Sequence, residues 1–153
     1  MPNTVTGVFP VHANKFEVNT GTGTEAWVTV AELEEVNVKI DNTTEEWNTF
    51  ANEGWGSALV TGKKSSIEIK GKRCIGDPGN DFIAGKLMEN GPAAYISARV
   101  TMPTGDVLTW EQMACAVANN GASGAATNVG GLEATLTGHG KPKLTKAGSQ
   151  DNQ

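Results

Sequence analysis

EGWGSALVTGKKSSIEIKGKRCIGDPGNDFIAG, residues Glu53 to Gly85, changes its periodicity twice within one short span. In Ser66–Lys72 (SIEIKGK), Ile67 and Ile69 alternate with Glu68 and Lys70, the period-two pattern of a half-buried strand whose charges face solvent. Gly76–Asn80 then reads as a tight turn, with Asp81 in the position of an N-cap. Phe82, Ile83, Leu87 and Met88 recur at helical spacing until Asn90-Gly91-Pro92 stops the pattern. The stretch therefore predicts a strand, a turn and one helix.

Upstream, Val36, Val38 and Ile40 alternate with Asn37 and Lys39, a second half-buried strand, and Val28–Leu33 forms another candidate. Between these strands and Ser66, Asp41–Gly56 (DNTTEEWNTFANEGWG) sets Trp47, Phe50 and Trp55 among Asn, Thr, Glu and Gly, too polar for a core strand. It reads as a long loop or hairpin whose aromatics either fold back on the core or dock on a neighbour, because large apolar side chains left in water form a costly patch. Met1–Asn14 mixes Pro, Gly, Thr and Asn without periodicity and reads as an arm, and Asn19–Thr24 is a turn-rich connection. Downstream, Ala94–Met102 and Val107–Ala118 are strands joined through Pro103-Thr104-Gly105-Asp106, a hairpin signal. After a Gly, Ala and Ser loop at Asn119–Asn128, Leu132, Ala134 and Leu136 mark a last strand within Val129–Thr137, and the polar Lys143–Gln153 reads as a flexible tail.

About seven strands and one helix predict a mainly β protein, a two-sheet β-sandwich or barrel with one flanking α-helix. The organisation expected is an N-terminal arm and first strand in residues 1–30, one β domain in 31–142 and a C-terminal tail in 143–153. With 153 residues, 38% of them hydrophobic, the chain is the size of one domain, and its 19 glycines favour strands and turns.

The net charge of -5 is split: residues 1–55 carry nine acidic side chains against Lys15 and Lys39, whereas residues 56–153 carry ten basic against eight acidic. Such a split is either a matter of solvated faces or a complementarity by which identical subunits meet head to tail. A strong nucleic-acid binder would carry a basic stripe with aromatics, which a pI near 5.0 argues against. Cys74 and Cys115 stand far apart without a CxxC or a nearby His pair, so free buried thiols are expected rather than a metal site or disulfide framework. Met1–Pro10 has neither a basic nor an apolar leader region and no apolar run is long, so a soluble protein made in a cytoplasm, without a membrane partner, is expected.

Catalytic constellations are absent from the sequence. His12 and His139 lie in the two terminal regions, and Glu34-Glu35 and Glu45-Glu46 are neighbours that would point to opposite faces of a strand. Gly56–Lys64 (GSALVTGKK) has one residue too many between its glycines for a phosphate-binding loop, and Lys64 stands where Ser or Thr is needed. Asp77-Pro78-Gly79-Asn80-Asp81 offers oxygen ligands but lacks the spacing and distal Glu of a calcium loop, and reads as a turn with an N-cap. No enzyme activity, cofactor or metal is expected.

Order and spacing of several short motifs carry a resemblance. They are Gly54-Trp55 before an apolar pair, Thr61-Gly62-Lys63, Gly71-Lys72-Arg73, Gly76-Asp77-Pro78-Gly79-Asn80-Asp81 before the helix, and Thr127-Asn128-Val129-Gly130-Gly131-Leu132-Glu133 at the final strand. Across residues 30–145 the chain resembles the major tail tube proteins of long-tailed phages of Gram-positive hosts. That resemblance implies hexameric rings whose inner sheets join into a β-lined tube, rings that stack into a tail, and a hairpin and terminal arms that reach adjacent subunits. It implies a virion protein assembled in the bacterial host cytoplasm, with itself, a tape-measure protein and tail terminator or distal tail proteins as partners. Double-stranded DNA would pass through the lumen during ejection without specific binding. On this basis Trp47, Phe50 and Trp55 are subunit-interface candidates. Glu45 and Glu46 are candidates for the lumen or ring interface, since a polyanion must not stick to its channel. Two alternatives are a tube protein of a contractile tail or type VI-like secretion machine, and a carbohydrate-binding β-sandwich with Trp47, Trp55 and Trp110 as a stacking platform.

Overall fold

A computed structural model describes residues 6–147. The strands are β1 (Lys15–Asn19), β2 (Trp27–Thr29), β3 (Leu33–Asn48), β4 (Gly56–Lys72), β5 (Tyr95–Thr101), β6 (Val107–Asn119), β7 (Gly131–Gly138) and β8 (Lys143–Thr145), with one helix, α1 (Pro78–Ala84). They form one antiparallel sheet in the order β2-β1-β5-β6-β7-β4-β3, with β8 pairing on β6. Where two sheets were expected, one sheet curls on itself. Phe16 of β1, Val100 of β5 and Val36 and Val38 of β3, from opposite ends of the strand order, line one cleft of about 380 Å³. The fold is mainly β and barrel-like, as the alternation predicts.

The core is the concave face. Val18, Ile67, Ile69, Ala98, Trp110, Met113, Leu132 and Leu136 are buried there together with Ile83 of α1. Each fully buried aliphatic side chain contributes roughly 1.5–3 kcal/mol. The register brings these residues into facing pairs, Ile67 with Leu136 and Ile69 with Ala134, as their period-two spacing requires. Trp110 is buried across β7, and its Nε1 donates to Ser65 Oγ at 2.9 Å. Gly138 lies between them: a Cβ there would stand 2.2 Å from Ser65 Oγ.

The structure decides or corrects several sequence expectations. Of the loop and the hairpin left open for Asp41–Gly56, the structure has the hairpin: β3 and β4 pair continuously from Leu33↔Gly71 to Asn48↔Gly56 with a bulge near Thr43. The segment expected as one strand over 28–33 is β2 followed by a turn in which Glu32 takes φ 61, and β3 starts at Leu33. Asp81 is not the N-cap. Asp77 is, with Pro78 at the first helical position, where its missing N–H costs nothing. The helix ends at Ala84, after which Lys86, Leu87 and Glu89 donate to carbonyls three residues back, a tightened winding that turns Met88 into solvent. Finally, Lys143–Thr145 of the expected flexible tail is strand β8, paired with Val107–Thr109; three residues are too few to show alternation. The expected arm falls partly outside the described residues, and residues 15–19 and 27–29 of its segment pair into the sheet as β1 and β2.

Helix α1 sits hard against β2. A Cβ on Gly79 would lie 2.4 Å from the carbonyl oxygen of Thr29, a backbone atom that cannot rotate away. Gly79→Ala is therefore expected to cost about 1–3 kcal/mol, measured by urea denaturation; a neutral substitution would place the helix elsewhere.

On β1, Glu17 is 6% exposed and accepts from Arg99 Nε at 2.8 Å, with Lys15 Nζ at 3.5 Å. Arg99 also stacks over the Trp27 ring at 4.5 Å. Burial pushes the Glu17 carboxyl up, but the hydrogen bond and charge of Arg99, followed by Lys15, hold it below its ordinary 4.5. A depressed folded pKa gives stability that is present above 4.5 and lost as pH falls through the folded value. Arg99→Met leaves the buried Glu17 carboxylate with the exposed Lys15 in place of its closer partner and is expected to cost about 2–3 kcal/mol at neutral pH. That cost shrinks under acid, as Glu17 takes up a proton. Thermal melts of both proteins across pH check this, and a pH-independent difference would contradict it.

Candidate assembly surface

The last β4–β7 pair is Ser66↔Thr137, so the ten residues of β4 from Gly56 to Ser65 continue beyond the body of the sheet with β3 alone beside them. At roughly 3.3 Å per residue this is a projecting hairpin about 30 Å long. Its polar residues close the turn. Gly54 N donates to Thr49 O, Glu53 N to Phe50 O, Asn48 Nδ2 to Gly54 O at 2.7 Å, and Asn52 Nδ2 to Ser57 Oγ at 2.8 Å. Glu53 and Gly54 supply the left-handed conformations (φ 54 and 84) that the turn needs.

With the turn closed by Asn and Thr, the aromatics are left facing outward. Phe50 is fully exposed, and Trp55 and Trp47 are 74% and 44% exposed, joined by Leu59 and Val60. None of the three belongs to the core, so they do not fold back on it. Exposed apolar side chains on a projecting element make the hairpin a candidate interaction surface. Glu45 pairs with Leu59 and Glu46 with Ala58, so the two carboxylates point to opposite faces of the hairpin, Glu45 on the face of Trp47. One surface cannot hold both.

The Gly76–Asp81 motif has a different task. Asn80 is fully buried; its Oδ1 accepts from Arg73 Nη1 at 2.8 Å and from Cys74 N, while its Nδ2 donates to Ala31 O and Lys72 O. Asp77 Oδ2 accepts from both Asn80 N and Ala31 N. Arg73 bridges to Asp81 at 2.7 Å, and this hydrogen bond, helped by Gly76 N–H, holds the Asp81 carboxyl below its ordinary 3.8 against some desolvation. The oxygen-rich run is therefore a brace that ties α1 to the β2–β3 turn and to the end of β4, which is where the body meets the root of β3. Cys74, expected buried, is half-buried beside it, while Cys115 lies in the core, its thiol pushed up to about 11 by burial.

His139 rests on Tyr95 with ring centroids 5.3 Å apart, far in sequence from His12 in its short 3-10 turn. Among the described residues no three His, Cys, Asp or Glu side chains gather as metal ligands. Nor is any described helix long and apolar enough to cross a membrane. The expected platform of Trp47, Trp55 and Trp110 does not exist, since Trp110 is 1% exposed in the core.

No protein-family model matches the chain, and no curated protein sequence matches it. Solved structures do. The chain shares its fold with a chain of the tail of an empty gene transfer agent (GTA) particle, refined helically with C6 symmetry, at a TM-score of 0.70 and 13% identity over 90% of this chain and 99% of that one. A chain of the native GTA virion aligns at TM-score 0.67 and 15% identity over 90% and 99% of the two chains. A chain of the sheath-tube complex of an extracellular contractile injection system, PVC, aligns at 0.57 and 13% over 92% and 93%. The fold is thus of the class found in chains of GTA tails and contractile injection systems. Those alignments span nine-tenths or more of each chain.

Proposed function

We propose that this chain is the structural, non-enzymatic subunit of a tail tube, assembling with itself into six-fold rings that stack around a lumen. The observation that carries the reading is the near end-to-end likeness to a chain of a GTA tail refined with C6 symmetry. Among the described residues the outer edge of β3, sixteen residues long, has no strand beside it, which suits the same end, because an unpaired edge is a template for a strand of another copy. In this reading Trp47, Phe50 and Trp55 pack on a neighbour, and of Glu45 and Glu46 one faces the ring contact and the other the lumen. Acidic lumen residues keep a passing DNA duplex from binding, as phosphate contacts would otherwise accumulate affinity. The setting is the tail of a long-tailed phage virion of a Gram-positive host, assembled in the host cytoplasm around a tape-measure protein and finished by tail terminator and distal tail proteins. A second reading, the tube of a contractile machine, is supported by the PVC sheath-tube likeness. Sedimentation velocity over a concentration series tests the shared core of both. Hexamers or larger multiples are expected, and a strict monomer at all concentrations would contradict it.

A further inference from the structure

We propose that the hairpin tip of one copy seats in a lysine-lined groove at the hairpin root of the next copy. The proposal rests on the self-assembly reading and names the receiving surface. At the root, Ile40, Val60 and Pro142 line an open groove of about 620 Å³ with Lys63, Lys64 and Lys141 also lining it. All three lysines are exposed, and none forms an ion pair among the described residues; Lys63 is hydrogen-bonded to Asn42. The tip is the counterpart in both chemistry and charge. Residues 43–62 carry Glu45, Glu46 and Glu53, no basic residue, and the exposed Trp47, Phe50 and Trp55. Those carboxylates likewise form no ion pair among the described residues.

The contact has to be between copies. Continuous β3–β4 pairing out to Asn48↔Gly56 keeps the tip roughly 30 Å from its own root, and a paired ribbon of that length cannot double back. A tip that fits a different patch on the next copy makes a heterologous interface, which propagates and closes into a ring when the rotation allows. The acidic first half and basic second half of the chain then meet head to tail, which accounts for the split of charge along the sequence.

Charge reversal of full-length protein tests it, with assembled fraction read by sedimentation and electron microscopy. The tip variant combines Glu45→Lys, on the face of Trp47, with Glu53→Lys; the groove variant combines Lys63→Glu, Lys64→Glu and Lys141→Glu. Each alone is expected to reduce the assembled fraction by about tenfold or more through like-charge repulsion. An equimolar mixture restores it, because each variant's tip then faces a groove of opposite charge, alternating around a ring. Charge-reversal variants that assemble like the wild type, or a mixture as defective as its parts, would overturn the contact while leaving self-assembly intact. A wild-type chain that never assembles would overturn the assembly reading and the contact together. Should either variant misfold, a photo-crosslinking phenylalanine analogue at position 50 of the otherwise unaltered protein decides. Crosslinks to the peptide around Lys141 of a second copy are expected, and crosslinks confined to other surfaces within assembled tubes refute the groove.

Discussion

Asn80→Ala is expected to lower the unfolding free energy by about 3–5 kcal/mol, the largest loss at any single polar side chain in the molecule. All the hydrogen-bonding capacity of this buried amide is used, on Arg73, Cys74 N, Ala31 O and Lys72 O, and truncation leaves those groups facing a void. Domains of this size are commonly stable by only 5–15 kcal/mol or so, so the variant approaches the edge of folding. Asn80→Asp separates hydrogen bonding from size: it keeps both accepted bonds but turns an anionic oxygen toward two carbonyls, and it too should be strongly destabilising. Urea denaturation checks both, through a fall in midpoint at constant slope. A loss below about 1 kcal/mol would mean that the brace is replaceable by water.

The second large effect is on assembly and leaves stability alone. Replacing Trp47, Phe50 and Trp55 together by serine removes the exposed apolar cluster of the tip while touching no core residue. The unfolding free energy is expected to change by less than about 1 kcal/mol, as for surface substitutions generally. Assembly should fail, because buried aromatics dominate interface energetics and each contributes on the order of 2 kcal/mol when desolvated by a partner. Size-exclusion chromatography beside a thermal melt reads both quantities. A triple variant that melts normally and still assembles would remove the hairpin tip from the interface.

What was legible in the sequence follows from where one face of a strand is buried. Ile67 and Ile69, and Leu132, Ala134 and Leu136 alternate because the curled sheet covers only one side of them, and all five are buried. Val36, Val38 and Ile40, expected as the core face of their strand, are a correction: Val36 is half-buried, and Val38 and Ile40 are each 40% exposed, because β3 ends the strand order with only β4 beside it. The outer halves of β3 and β4 carry no such signal. With solvent on both faces, nothing forces alternation, so the sequence of Asp41–Gly56 left loop and hairpin open although the backbone of Asp41–Asn48 is fully paired. The aromatics stood out for the same reason, as large side chains without a core periodicity to explain them. In β6 the buried residues are Trp110, Met113 and Cys115, a spacing broken by the register shift opposite Ile96/Ala98, so the burial of Trp110 could not be read from alternation. The helix start was readable and misassigned: Pro78 at the first helical position points to Asp77 as the cap, whereas Asp81 serves Arg73. The groove at Lys63, Lys64 and Lys141 joins residues nearly eighty positions apart, which only the register between β4 and β7 brings together.

Electron microscopy of the purified full-length chain, imaged across a concentration series, tests the tube-subunit account most directly. Six-fold rings with a central hole, or hollow rods built from stacked rings of that symmetry, are the predicted result. Single particles the size of one subunit at every concentration, or closed dimers without a lumen, would contradict it.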